Sequence, residues 1–525
     1  MTPQIQVSRR DLFRVAAVGA AVAASGAVSS AASPPAAASG PVLTSDRNLH
    51  MLRRLTYGPS PTSAAEINAQ GPLRWLLNQL NPAAIDDHVC TGYLARYPRL
   101  NWTIPQVRAA LNNGAWDVMS DLGQASLLRA TWSKRQLFEL MVEFWSNHLN
   151  VTNPSSDVWD SRHDYDKNVI RKYTFGKFSD MLWASANHPA MMRYLNNADS
   201  APPDYNENYG RELLELHTVG VDAGYTEVEM RNSALIMSGY GVHDPWPEDA
   251  TTGIFEYHPE NHYVGAVSVL GFSSANTTQA GGYALGKAYV AYLATHPATA
   301  RRIADKLVTR FISDDPHPGL AARLAATYLA NGTAIVPVLK QLFTSREFLY
   351  SVGLKVRRPM EDLIATLRTL EITPDPGTGV DGLQALWWQS DSMGQQPMAW
   401  HLPNGYPDTA TDWQSTNGTL ERWNTHMALA GQWWPVNNDP ANPMLQAPAH
   451  TTLLPTTLPA TYGAFVDVLA QRLVFQKLSP DAKAAVLTFL NKADGAALKS
   501  TDAAVTWQFA YVIALILDSV YHTMR

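Results

Sequence analysis

Apolar residues recur at i, i+3 and i+4 along most of the chain, the spacing that lines one face of a helix. The pattern predicts helices over residues 48–55, 72–80, 125–148, 166–185, 206–219, 226–238, 286–293, 297–311, 319–330, 335–344 and 359–370. Pro or Gly marks several ends, as in Tyr57-Gly58-Pro59 after the first stretch and Pro297 at the start of another. Strand-like alternation is confined to residues 253–257 and 264–270, which are expected to form at most one small hairpin. Residues 371–460 lose the period and fill with Pro, Asn, Gly, Asp and seven of the 16 Trp, so a long-looped region packed on the helices is expected there. Helical periodicity then resumes to the C-terminus. The expected class is mainly α: a helical core over 48–370, aromatic-rich loops over 371–460 and a helical segment over 461–525.

Ahead of the first helix, Ser8-Arg9-Arg10-Asp11-Leu12-Phe13 precedes a weakly apolar Ala/Val/Gly stretch and the small residues Ala36-Ala37-Ala38. This order reads as a twin-arginine export signal over 1–38 with a cleavage site, followed by a linker over 39–47. The apolar run is shorter than the roughly 18 residues a membrane span needs. A periplasmic or extracellular protein with no stable span after signal removal is expected, with the export machinery as its first partner. One Cys in 525 residues excludes a disulfide framework and a cysteine-based zinc site, and Cys90 reads as a small buried apolar side chain. The 40 basic and 46 acidic side chains give a net charge of −6, which argues against a nucleic-acid partner.

Against a charged fraction of only 16%, the stretch from Asp204 to Gly220 stands out as a local concentration of ionisable groups. It reads as one helix. At about 100° per residue, with Glu207 at zero, Arg211 falls near 40°, Glu215 near 80°, Asn208 near 100° and Glu212 near 140°. Two carboxylates three apart beside a guanidinium can be driven to different pKa values, as general acid–base chemistry requires. The same residues also fit a structural reading: Asp204-x-x-Glu207 as a capping box and Glu207/Arg211/Glu215 as an ion-pair ladder. His217 fits a core or helix-end histidine equally well.

Other constellations are less specific. Glu143 to Asn150 places Trp145, Asn147 and His148 at a helix end. His188-Pro189 and His296-Pro297 each put His just before a helix that Pro opens. Arg357 and Arg358 offer an anion site, and Trp400, Asn404, Tyr406 and Trp413 interleave rings with amides, as sugar-binding surfaces do. His243, His258 and His262 share a loop without helical spacing or nearby acids, so no metal site is assigned, and no cofactor is evident. Nucleophile-elbow, P-loop, dinucleotide and H-E-x-x-H motifs are all missing.

Several of these pieces together resemble one bacterial family, catalogued as Domain of Unknown Function 1800. They are residues 52–58 (Leu-Arg-Arg-Leu-Thr-Tyr-Gly), 144–148, 188–191, 206–217 (Asn-Glu-Asn-Tyr-Gly-Arg-Glu-Leu-Leu-Glu-Leu-His), 296–300, 358–361 and 403–407. The resemblance implies an exported, mostly helical protein and carries no activity with it. Asn196, Tyr240 and Val267 depart from the pattern, which has Asp, Trp and Lys near those positions.

These observations lead to an expected hydrolase or lyase acting on polysaccharide. Glu212 or Glu215 would be the acid or base, with the second carboxylate on that face or Glu207 as partner. Arg211, Asn206, Asn208, His217, Asn147 and His148 would orient a glycan, Arg357 and Arg358 would hold an anionic group, Asn404 would bond hydroxyls, and Trp145, Trp400, Tyr406 and Trp413 would stack on sugars. A metal- or cofactor-dependent redox enzyme and a non-enzymatic envelope protein are the alternatives.

Overall fold

The computed structural model describes residues 42–525 apart from 246, 316, 440 and 443; the twin-arginine motif and the expected cleavage region lie outside those residues. The fold is mainly α. At four helices that Pro starts the expected and observed bounds nearly coincide, Pro72–Gln79, Pro297–Phe311, Pro318–Ala330 and Pro359–Thr369, whereas Pro61–Gln70 and Ile104–Ala110, capped by Ser60 and Thr103, were not expected. Proline suits the first helical turn because that turn does not use its N–H groups. His188 and His296 cap the helices Pro189–Tyr194 and Pro297–Phe311, their Nδ1 atoms accepting from Ala190 and Ala298 N–H at 3.2 Å.

Three stretches expected to be continuous helices are broken. Residues 125–148 divide into Asp117–Trp132 and Gln136–His148. Ser133 adopts extended backbone there, its hydroxyl accepting from Arg135 N–H and donating to Asp87. Residues 166–185 become a π-helical turn, Asp166–Arg171, and a separate helix, Phe178–Ala186. The 206–219 stretch begins as α-helix at Asn208–Glu212 and widens into π-helix at Leu213–His217. Hydrophobic period cannot register such a widening, which inserts a residue into the turn.

The single expected hairpin is instead two. Tyr240–Val242 pairs antiparallel with Phe255–Tyr257, and Val267–Val269 pairs with Phe272–Ser274. Each strand has three residues, too few for alternation to show. Residues 371–460 contain more helix than expected, in Asp381–Ser392 and Thr416–Ala430.

One hydrophobic cluster runs from Leu43 to Tyr521 without a break at 370 or 460, and it includes Leu43 of the expected linker. Its hub is Pro359–Thr369, in which every residue but Arg368 is buried, packed against Asp117–Trp132 and Thr416–Ala430. The second of these packs in turn on the apolar helix Phe509–Leu517. A hub buried on all sides must satisfy the acids it carries, Glu361 and Asp362, from within. Cys90 is buried, which pushes its thiol well up. No helix among the described residues is long and apolar enough to cross a membrane.

Candidate functional site

Four separated segments converge on a cleft of about 690 Å³. Gln136–His148 supplies Asn147 and His148, Pro297–Phe311 supplies Arg301, Arg302, Asp305 and Lys306, Val219 and Gly220 follow the π-turn, and residues 400–408 form the opposite wall. Each of these segments overlaps or adjoins a stretch that carries the family resemblance.

The helix Pro297–Phe311 presents a stripe of cations at i, i+4 and i+8: Arg302, Lys306 and Arg310. Arg310 is fully buried and paired with Glu361 at 2.6 Å and Glu143 at 3.0 Å. The two cleft-facing members differ, because neither Arg302 nor Lys306 has a carboxylate within 4 Å among the described residues. Arg302 Nε donates to the Leu216 carbonyl, and Lys306 Nζ donates to Nδ1 of His148 at 3.1 Å. That direction follows from the other ring nitrogen: His148 Nε2 lies 3.0 Å from the His217 carbonyl, an acceptor, so it carries the proton.

Burial, with the Arg302 charge beside it, lowers the Lys306 ammonium to about 8. Burial and the Lys306 charge likewise hold His148 well below its ordinary value and His217 at about 3, so both imidazoles are neutral. The cleft therefore presents a lysine close to losing its proton at neutral pH, next to a fixed guanidinium.

The opposite wall is held by a relay from the core. Glu361 Oε1 takes Arg310, Arg358 and Arg525 at 2.6, 3.2 and 2.5 Å, while Oε2 accepts from the Arg358 N–H at 3.0 Å. Burial alone would raise the Glu361 pKa, yet the three guanidinium groups hold it well below the carboxylate range. Arg310 and Arg358 share Glu143, whose other oxygen accepts from the Asn147 amide at 2.5 Å. Asn147 Oδ1 then accepts from the Tyr406 N–H at 3.2 Å. Gly405, at φ 71°, sits so close that a Cβ would lie 2.2 Å from the Asn147 carbonyl oxygen. Asp408 meets Arg358 at 3.2 Å and Arg310 at 3.4 Å. Rings stand along this wall: Trp400 lies 5.2 Å from Tyr406, which is 5.7 Å from Trp413, and Trp400 Nε1 donates to Asn404 Oδ1.

Of the residues proposed from sequence, Asn147, His148, Trp400, Asn404 and Tyr406 line this cleft. Arg357, Arg358 and Trp413 line a neighbouring cavity of about 360 Å³ that shares Asp408 with it. The two arginines are buried there, Arg358 in the ion network and Arg357 donating to the Met524 carbonyl, so they do not form a free anion site. Trp145 is sealed in the core with Nε1 on the Thr174 carbonyl, and its place as a stacking residue is corrected to a packing one. His217 is buried as well and meets the cleft only through its backbone.

The Glu207 face lies outside the cleft lining. Its helix starts at Asn208 with Glu207 at the cap position, so Asp204 and Glu207 form no capping box. Only half of the i, i+4, i+8 ladder forms: Arg211 pairs with Glu215 at 3.3 Å and with Glu227 at 3.2 Å, while Glu207 faces Arg231 at 3.6 Å instead of Arg211. Glu212 is half-buried, and burial with the Glu215 charge raises its pKa. Asn206 Oδ1 accepts from the Asn208 N–H, and Asn208 reaches the Leu195 carbonyl, so both shape the turn into the helix. The three loop histidines do have acidic neighbours. His243 contacts Glu256 and Asp249, His258 lies near Glu256 and Glu260, and His262 is buried against Ser238 and Asn276.

Arg302, Lys306 and Asp408 escaped the sequence reading. The available signal was the Arg302/Lys306/Arg310 spacing on one helix, which reads as an ordinary solvated face until Arg302 and Lys306 are seen in three dimensions to have no carboxylate within 4 Å among the described residues. No curated protein and no solved structure matches the chain. The family described as "Protein of unknown function (DUF1800)" matches residues 50–522, nearly the whole chain, and the protein belongs to that family.

Proposed function

We propose that the cleft is the active site of an exported enzyme acting on an anionic polysaccharide, and that the reaction is a β-elimination at a uronate residue. The observation that carries this reading is the pair Arg302 and Lys306, two half-buried cations facing one cleft with no carboxylate within 4 Å among the described residues, the aspartates of the lining (Asp222, Asp305, Asp408 and Asp412) lying farther from them. A substrate carboxylate would supply the missing counter-charge, and desolvated cations gain most from such a partner. Trp400 and Tyr406 offer faces for sugar rings, and Asn404 offers an amide.

The chemistry follows from the neutral form of Lys306. Its amine takes the proton on the carbon α to the uronate carboxylate, while Arg302 stabilises the negative charge that gathers on the carboxylate oxygens. The electron pair forms the new carbon–carbon double bond, the glycosidic carbon–oxygen bond at the β position breaks, and the new ammonium returns its proton to the departing oxygen. His148 is a positioning residue, its proton fixed on Nε2 so that Nδ1 orients the lysine.

The test is incubation of the purified chain with a panel of uronate polysaccharides and neutral counterparts, reading the ultraviolet absorbance of the unsaturated product. Absorbance that appears with uronates alone and vanishes in Lys306→Met supports the proposal. Binding without product would favour the non-enzymatic reading, and reducing ends without a double bond would favour hydrolysis. The half-buried Glu212, raised beside Glu215, is the observation behind hydrolysis, and Glu212→Gln separates the two reactions. Export through the twin-arginine pathway, proposed from Arg9 and Arg10, would bring the enzyme to such polymers.

A further inference from the structure

The hub helix buries a second acid next to Glu361, and this one is paired with histidines instead of arginines. Asp362 Oδ2 lies 3.1 Å from Nε2 of His426, on Thr416–Ala430, and Oδ1 lies 3.5 Å from Nε2 of His522, on Val520–Thr523. One ligand atom from each residue falls within 4.8 Å of the others. All three side chains are buried, and three elements far apart in sequence deliver them.

Several features distinguish this cluster from a closed ion-pair network. Asp362 Oδ1 is buried without a hydrogen-bond partner, although a buried carboxylate oxygen ordinarily has one. The ring nitrogen it faces at 3.5 Å, Nε2 of His522, lies 3.1 Å from the Thr366 hydroxyl. Behind His426, Asp518 Oδ1 sits 2.8 Å from Nδ1. A carboxylate in that position fixes the tautomer and ring orientation of an imidazole that ligates through its other nitrogen. The cluster is also reachable, because His426 and Asp518 line the 360 Å³ cavity together with Arg357 and Arg422.

We infer that Asp362, His426 and His522 form a binding site for one divalent first-row transition metal ion. Two imidazoles and a carboxylate suit zinc or iron(II) and suit calcium or magnesium poorly. Three protein ligands leave a position open on the cavity side, as in catalytic rather than structural zinc sites. Arg357 and Arg422 stand on that side with Nη1 atoms on backbone carbonyls, so the ligand entering there would be water. The site is separate from the lysine cleft, and its existence does not depend on the reaction proposed there.

The decisive measurement is the metal content of the full chain after native export and dialysis without chelator. About one zinc or iron per chain is expected. It should fall to background in His426→Gln and in His522→Gln and be unchanged in His243→Gln, which alters the surface histidine–acid group. A second measurement on wild-type protein guards against variants that fail to fold. After metal is stripped with chelator, added cobalt(II) should give the ligand-field absorption of a nitrogen–oxygen site and raise the melting temperature. Wild-type protein with neither retained metal nor cobalt absorption would overturn the inference, and the cluster would then be a protonated His426 bridging two carboxylates. Metal that survives both histidine changes, or that is lost in His243→Gln, would overturn it equally.

Discussion

Lys306 illustrates how a side chain's chemistry is set by what is missing around it. Its ammonium is lowered by burial and by Arg302, and only Asp408 offsets this. Lys306→Met should remove product formation by at least about 100-fold, the usual scale of a lost general base, while thermal stability stays level or rises. The active form is the free amine, so turnover should increase as pH rises through about 8. Arg302→Gln removes a repelling charge, and the rising limb of the profile should move to higher pH; an unmoved limb would detach the titration from Lys306. On the Glu207 face, Arg211→Ala should cost no more than about 1 kcal/mol by denaturant unfolding, since its partners are half-exposed or exposed. Asn147, His148, Trp400, Asn404 and Tyr406 were legible because rings and amides at a helix end or in a Pro/Gly loop advertise themselves in sequence. Lys306 and Arg302 were not, because an unneutralised cation is defined by the absence of neighbours that only folding determines.

At the level of elements, the loop 400–408 owes its place to backbone more than to side chains. Gly405→Ala places a Cβ 2.2 Å from the Asn147 carbonyl oxygen at a residue with φ 71°. The change should destabilise the protein by roughly 1–3 kcal/mol in urea unfolding and should reduce turnover, because Tyr406 and Asn147 separate together. Gly210 plays the same part for the Asn208–Glu212 helix, where a Cβ would meet the Ala234 backbone nitrogen at 2.4 Å. Helix bounds were readable at several helices that Pro or Thr opens, since those residues act through local geometry, but the Ser- and Thr-capped helices Pro61–Gln70, Ile104–Ala110 and Thr416–Ala430 were missed. The π-turn at Leu213–His217 was not readable, and it rotates the residues after Glu212 away from their ideal-helix angles. It also turns the His217 carbonyl toward His148.

For the molecule as a whole, the network around Glu361 joins the cleft to the core. Glu361→Gln would strand Arg310, Arg358 and Arg525 around a neutral amide, at a cost on the order of 3–5 kcal/mol in calorimetry or denaturant melts. The acid-side behaviour follows from the depressed carboxyl. Its contribution is complete above the unfolded value, roughly pH 4, and is lost as pH falls toward the much lower folded value. A wild-type acid transition steeper than that of Glu361→Gln would show this. The mainly α class was visible from period alone and the loss of period over 371–460 suggested loops packed on the helices, whereas the pairing of Thr416–Ala430 with Pro359–Thr369 and Phe509–Leu517 was not visible, because composition reports polarity and turns but not which surfaces meet.

Arg525 closes that network, with its guanidinium on Glu361 and on the carbonyls of Arg53 and Arg54, more than 470 positions earlier. A contact of such sequence separation cannot form while residue 525 is still inside the ribosome. Until then Glu361 lacks one of its three cations, so the core reaches full strength only once Arg525 has emerged. Completion of the core is thus tied to a residue that synthesis delivers long after the ones it meets, and replacing Arg525 would place the defect at the centre of the molecule.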